Sequence, residues 1–464
     1  MTRGAVMPPS MPRPAQSVPN LPPAAVTLVC TETRLTGVST ALLTDHYELT
    51  MLAAALRDGT AHRHCVFEVS ARRLPPGRRY GVVAGTGRLV EAVAEFRFGE
   101  EEIDFLRRTG VVDAQTADWL SRYRFRGDIE GYAEGELYFP NSPILTVSGT
   151  FAECVVLETL TLSILNHDCA VAAAAARMVT AARGRPLIEM GSRRTHEEAA
   201  IAAARAAYLA GFASTSNLAA GRRYGIPTAG TAAHAFTLLH DDEQSAFASQ
   251  VATLGKQTTL LVDTYDIAEG IRRAIAVAGP GLGAIRIDSG DLAALAQQSR
   301  QLLDALGATE TKIIVSGDLN EFSIAALAAE PVDAYGAGTA VVTGSGAPTA
   351  ELVYKLVEVD GRPVAKRSSA KATVGGRKTA VRRHKPTGTA TEEVVVAQGT
   401  PEPARHDRPL QRRYMVRGEP VPDLPSLEDA RELLRSNLIA IPWEGLKLSD
   451  GEPAIPVTII GGTT

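Results

Sequence analysis

A single imidazole, His234, closes the run Gly225-Ile226-Pro227-Thr228-Ala229-Gly230-Thr231-Ala232-Ala233-His234. An apolar stub leads into a turn of bare backbone and one hydroxyl, and small side chains surround the ring. Small residues let a phosphorylated ligand approach the backbone, where N–H groups can hold it. A histidine there can act as a base or take a phosphoryl group on nitrogen. The structural alternative is a core or capping histidine after a strand.

Six further segments share this pattern of an apolar, β-rich stub ending in Gly, Ser, Thr, Asp or Arg. They end in Gly191-Ser192-Arg193-Arg194, Ser214-Thr215-Ser216-Asn217, Asp263-Thr264-Tyr265-Asp266, Asp288-Ser289-Gly290-Asp291, Ser316-Gly317-Asp318 and Gly336-Ala337-Gly338-Thr339. Paired guanidiniums suit anions. Asp288 can bind ribose hydroxyls, and Asp288 or Asp291 can hold a magnesium ion at phosphates. Gly317, Asp318, Gly336, Gly338 and Thr339 supply the open backbone and hydroxyl that a phosphate needs. Simple tight turns are the alternative for the glycines.

Elements must position these groups. Ala/Leu-rich stretches with helical spacing fill 196–209, 266–278, 291–306 and 321–330. Strand, polar loop and helix in repetition imply parallel β/α units. In a β/α barrel the chemistry sits at the carboxyl ends of the strands, where the unusual polar residues fall here. An α/β barrel is therefore expected over 151–351, entered by a long Ala-rich helix at 157–183. An α+β region is expected over 37–150, with an amphipathic helix at 47–56 and a strand at 65–70. Region 352–464 returns to strand alternation at 352–359 and carries a helix at 426–436. The first and last regions are expected to pack as one second domain. Residues 1–36, rich in proline, read as a disordered tail without a signal peptide.

The chain has 464 residues, 45% of them hydrophobic and 22% charged, with a formal net charge of −4. That balance argues against a general nucleic-acid binder. No apolar run was expected to approach a membrane span. Cys30, Cys65, Cys154 and Cys169 are scattered without a C-x-x-C pair, so free thiols in a reducing cytosol and no structural metal are expected. The stretch 362–385 holds nine Lys and Arg and no acid. It reads either as a solvated hairpin or as an electropositive flap over a polyphosphate.

Taken in order, Thr44-Asp45-His46-Tyr47-Glu48-Leu49-Thr50-Met51, the five later motifs at 191–194, 214–217, 230–234, 286–291 and 336–339 together resemble nicotinate phosphoribosyltransferases. The resemblance implies an irregular type II phosphoribosyltransferase barrel with a second domain. It implies condensation of nicotinate with phosphoribosyl pyrophosphate, coupled to ATP hydrolysis and aided by Mg2+, in a cytoplasmic homodimer with shared sites. Under it, Tyr47 stacks on the pyridine ring across the dimer interface and Arg193 covers the other face. Thr231 and Arg286 contact nicotinate, Asp288, Ser289 and Gly290 serve the phosphoribosyl group, and His234 is transiently phosphorylated. Ser216 stands where the nicotinamide enzyme has an aspartate for the amide. The competing readings are nicotinamide phosphoribosyltransferase, quinolinate phosphoribosyltransferase and a non-catalytic nucleotide-binding barrel. The segment Leu261-Val262-Asp263-Thr264-Tyr265-Asp266 superficially resembles a type I ribose loop but lacks its adjacent acids and Thr-Gly turn.

Overall fold

Six short parallel strands hold the reactive loops. In the computed structural model, which describes residues 39–366, 374–402 and 404–462, the order across this sheet is Ser214–Thr215, Leu187–Glu189, Ala334–Ala337, Lys312–Val315, Ala284–Ile287 and Thr259–Leu261. Helices Glu197–Leu209, Ile267–Ala278, Leu292–Ala305 and Glu321–Ala326 connect or follow the strands. The sheet curls but does not close, which gives an irregular half-barrel. Strand residues Leu260, Ile285, Ile287, Ile313, Val315 and Tyr335 are almost wholly buried in one core with the inward faces of these helices.

The seventh expected strand is absent. Gly225 ends helix Leu218–Tyr224 in the left-handed conformation, and the chain then makes a single bridge, Thr215 to Thr228. Pro227 contributes no N–H to a ladder, which is why pairing stops after one bridge. The helix expected at 321–330 also tightens after Ala326 into a 3-10 turn, Leu327–Ala329.

The long helix Glu158–Ala182 is largely buried, and all eight of its alanines between 170 and 182 are fully or nearly buried. Small side chains let it lie close against Glu197–Leu209 and Glu321–Ala326. The helical stretch Phe151–Ala182 is long and apolar enough to cross a membrane, contrary to the reading of the sequence. However, 67% of its most apolar window is buried inside the protein, as a core helix requires.

A seven-stranded sheet draws on both ends of the chain. Its order is Arg362–Pro363, Leu352–Val359, His64–Ala71, Leu145–Thr150, Asp128–Tyr132, Gln411–Val416 and Glu419–Pro420. Its pairs are antiparallel, and Phe67 stacks on Tyr354 at 4.8 Å across one of them. Helix His46–Asp58 packs on this domain through Leu49, Leu52 and Ala55.

From Arg377 to Arg383 the basic stretch is neither a solvated hairpin nor a flap, whereas Arg362 stays exposed on a short edge pair with Val359. Strand Lys378–His384 lies inside a four-stranded sheet. Lys378 pairs with Glu68 at 3.0 Å, Arg377 with Glu130 at 2.6 Å, and Arg382 with both Glu136 and Glu393 at 2.5 and 2.6 Å. Burying a charge is costly unless it is paired, and acids distant in sequence supply the partners here. Arg367 and Lys371, the tail at 1–36 and Cys30 lie outside the described residues. Cys65, Cys154 and Cys169 are free and buried.

Candidate active site

Four strand ends converge on an open cleft of about 200 Å³. The end of Leu187–Glu189 contributes Met190, Arg193 and Arg194, and the end of Ala284–Ile287 contributes Arg286 and Asp288. Lys312–Val315 is followed by Ser316, Gly317 and Asp318, and Ala334–Ala337 by Gly338 and Thr339, with Gly336 inside the strand. Eight residues expected from sequence, Arg193, Arg286, Asp288, Gly317, Asp318, Gly336, Gly338 and Thr339, thus line one wall.

Arg286 organises the floor. Its Nη1 donates to Thr231 Oγ1 at 2.9 Å, its Nε to Ser316 Oγ at 2.8 Å and its Nη2 to Asp288 Oδ1 at 2.8 Å. The Arg286 N–H groups that could reach the expected nicotinate are therefore taken up by protein oxygens. Ser316 also donates to Asp288. Half-burial pushes the Asp288 carboxyl up, but the hydrogen bonds from Ser316 and Arg286 and the Arg286 charge outweigh it, and the net direction is down. Asp288 is thereby held as a carboxylate beside the Arg286 guanidinium. Gly317 is in the left-handed region at φ +116°, and a Cβ there would meet the Asp288 carbonyl at 2.7 Å. Only glycine lets these two strand ends approach so closely.

His234 opens helix His234–Leu239, 41% exposed at its side chain. Nδ1 lies 3.1 Å from Thr264 Oγ1 and Nε2 lies 3.8 Å from Asp263 Oδ1. Asp263 in turn accepts from the Asp288 N–H and the Ser289 hydroxyl. The resemblance assigns no role to Asp263 and Thr264, although their place at a strand end marks them as site residues in the sequence. Ser316 likewise stood in a quoted strand-end segment.

Other expectations fall outside the wall. Asp291 is the N-cap of helix Leu292–Ala305, accepting from the Ala294 N–H at 3.2 Å, so its carboxylate is committed to the helix start. Ser289 and Gly290 form the turn behind Asp288 rather than the wall. Ser216 is exposed and does not cap the next helix; Asn217 does, accepting from the Ala220 N–H at 2.8 Å. Tyr47 is 44% exposed on helix His46–Asp58 and is not among the residues lining the cleft. Among the described residues no group of three or more His, Cys, Asp or Glu is placed to hold a metal.

The family model for the nicotinate phosphoribosyltransferase (NAPRTase) N-terminal domain matches residues 42–166, and that for the quinolinate phosphoribosyl transferase C-terminal domain matches 171–346. The nicotinate phosphoribosyltransferase pncB1 of Mycobacterium tuberculosis is 63% identical over 428 residues, covering 90% of this chain and 95% of that protein. A nicotinate phosphoribosyltransferase of Bacillus subtilis is 38% identical over 359 residues, covering 74% and 73%. The crystal structure of human nicotinic acid phosphoribosyltransferase superposes with a TM-score of 0.79 at 26% identity, covering 90% of this chain and 97% of that one. With its half-barrel, its cleft and a relative this similar across nine-tenths of its length, the chain belongs to the nicotinate phosphoribosyltransferase family.

Proposed function

We propose that the cleft joins nicotinate to 5-phosphoribosyl 1-pyrophosphate, releasing nicotinate mononucleotide and pyrophosphate, the first step of NAD synthesis from nicotinate, and that ATP hydrolysis at His234 is coupled to it. The observation that carries the reading is the bonded set Thr231–Arg286–Asp288–Ser316. Along the sheet, the strand ends carrying Gly338, Thr339 and Gly317 lie between the strand that leads to Arg193 and the strand that carries Arg286 and Asp288, and all of them line one cleft. The pyridine nitrogen attacks the anomeric carbon, the bond to the diphosphate oxygen breaks, and the electron pair leaves with pyrophosphate. No proton moves, so the protein works by positioning and by charge. Arg193, Arg194 and Arg286 offset the anions. Arg286 exchanges its Thr231 contact for a carboxylate oxygen of nicotinate.

For ATP, the His234 tautomer with its proton on Nε2, toward Asp263, carries its lone pair on Nδ1, which gives up the Thr264 hydroxyl as the phosphoryl group approaches. That lone pair attacks the γ-phosphorus, ADP departs, and water later releases phosphate from the ring. The hard oxygens of Asp288 and Asp318 fit a Mg2+ ion that takes most of its other ligands from phosphate and water. Bound there, the ion would neutralise diphosphate charge.

The assembly we propose is a homodimer with shared sites. Leu43, Tyr47 and Met51 are exposed along the start of the chain's described part, and Leu238, Leu239 and Tyr265 are exposed near His234. A second copy would cover both sets and bring its Tyr47 to the ring. Burial, then the Glu158 carboxylate, pushes the Tyr47 phenol up to about 12, so it stays neutral for stacking. Free buried thiols accord with a cytoplasmic site.

The test is pyrophosphate release by purified protein from phosphoribosyl pyrophosphate with nicotinate or nicotinamide, with and without ATP. Nicotinate-dependent release that ATP increases supports the reading. No release with either base leaves a nucleotide-binding barrel.

A further inference from the structure

Glu189 ends strand Leu187–Glu189 and is 1% exposed. It bonds directly to two of the loops that border the proposed base pocket. Its Oε1 accepts from the Gly191 N–H at 2.5 Å, at the start of the loop that carries Arg193. Its Oε2 accepts from the Thr215 hydroxyl at 2.5 Å, and its carbonyl accepts from the Ser216 N–H at 2.8 Å. Thr215 passes the connection on: its carbonyl accepts from the Ala229 N–H at 2.9 Å, two residues before Thr231. A Cβ on Gly191 would lie 2.9 Å from Oε1, so the loop is folded directly onto the carboxylate.

Among the described residues, no Lys, Arg or His contributes to the charge state of Glu189. Burial pushes its carboxyl up, and only the Thr215 hydroxyl and Gly191 N–H draw it back. A buried carboxylate without a cation is costly and is an unusual device for packing alone. Its two acceptor oxygens fix two loops at once, which an apolar side chain would not do. The side chain does not line the cleft.

We propose that Glu189 is a positioning residue for base recognition: by joining Gly191 to Thr215 it sets the separation of Arg193 from Ser216, and so the fit of a pyridine carboxylate between them. The inference rests on the nicotinate reading above. The Glu189 side chain makes no hydrogen bond to Gly317, Gly338 or Thr339, which build the proposed phosphoribosyl wall; only the backbone of its loop packs against Gly338.

The experiment is steady-state kinetics of Glu189→Gln beside the wild type. The glutamine keeps the shape and one acceptor but loses the other. We expect the KM for nicotinate to rise about tenfold, with kcat and the KM for phosphoribosyl pyrophosphate within about twofold of wild type. Thr215→Val should show the same split, Thr215→Ser should restore it, and the double variant Glu189→Gln/Thr215→Val should be no worse than the worse single. Equal losses in both KM values, a fall in kcat alone, or no change overturns the proposal. If Glu189→Gln does not fold, Thr215→Val decides, and if neither folds the contact is structural and the proposal fails. A wild type without nicotinate-dependent pyrophosphate release would instead overturn the function reading.

Discussion

His234 Nε2 faces Oδ1 of Asp263 at 3.8 Å, and that oxygen is buried without a hydrogen-bond partner. The other oxygen of the same carboxylate accepts from the Asp288 N–H at 2.8 Å and the Ser289 hydroxyl at 3.0 Å. One carboxylate therefore touches both the imidazole and the strand end that carries the cleft aspartate. An orphaned charged oxygen is expensive to bury, and the ring N–H is the donor nearest to hand. A closure of under about 1 Å would satisfy it.

Asp263→Asn tests that link. The amide keeps the shape but prefers to donate toward the ring, which favours the opposite tautomer. ATP hydrolysis and labelling from γ-phosphate should fall by about a hundredfold, with a smaller loss in transfer without ATP. His234→Ala should abolish labelling altogether. Labelling of a histidine in His234→Ala protein would remove His234 from the ATP step.

The shared site is tested by mixing. Tyr47→Ala and His234→Ala proteins, each impaired, should regain activity when unfolded together and refolded, because each heterodimer rebuilds one intact site. Heterodimers that form yet stay as inactive as their parents would mean that each site draws on one chain.

Asp288 makes a prediction in pH. Burial raises its carboxyl, the Ser316 and Arg286 contacts lower it further, and the folded value lies below the unfolded one near 3.9. Its contribution to stability is then complete above about pH 4 and is lost as pH falls through the folded value. The gap in Tm between wild type and Asp288→Asn should hold from about pH 8 to about pH 5 and narrow below about pH 4. A gap that persists unchanged to about pH 3 would show that the charge of Asp288 is not what holds the contact.

Much of the site was legible because function in this fold sits where strands end. Short apolar stubs ending in Gly317-Asp318 or Gly338-Thr339 marked both the strand and the cleft wall. The run to Thr231 was legible as a site but not as irregular chain, since Ile226 and Thr228 favour a strand and the missing N–H of Pro227 decides against one. The basic stretch was misread because its partners, Glu68, Glu130 and Glu136, lie some 240 to 310 residues away. Only the folded sheet brings them together. Asp263 was hidden by a comparison with another fold, although its position after Thr259–Leu261 matched that of Asp288 after Ala284–Ile287.

Ser216 is the residue we propose to decide acid against amide. It is exposed at the end of strand Ser214–Thr215, with its N–H on the Glu189 carbonyl and its hydroxyl free of the helix-capping role that Asn217 fills. Substitution there leaves the helix start intact, so stability should change little. An aspartate at this position would face the carboxylate of nicotinate. At about 4 Å and an effective dielectric near 20, two like charges repel by roughly 4 kcal/mol, on the order of a thousandfold in affinity. The neutral amide of nicotinamide escapes that repulsion and can donate to the new carboxylate. Ser216→Asp should therefore lower kcat/KM for nicotinate by up to about a thousandfold while leaving that for nicotinamide unchanged or higher. Both bases compared side by side on the same preparation give the answer: an acid-to-amide ratio equal to that of wild type would place Ser216 outside the base pocket.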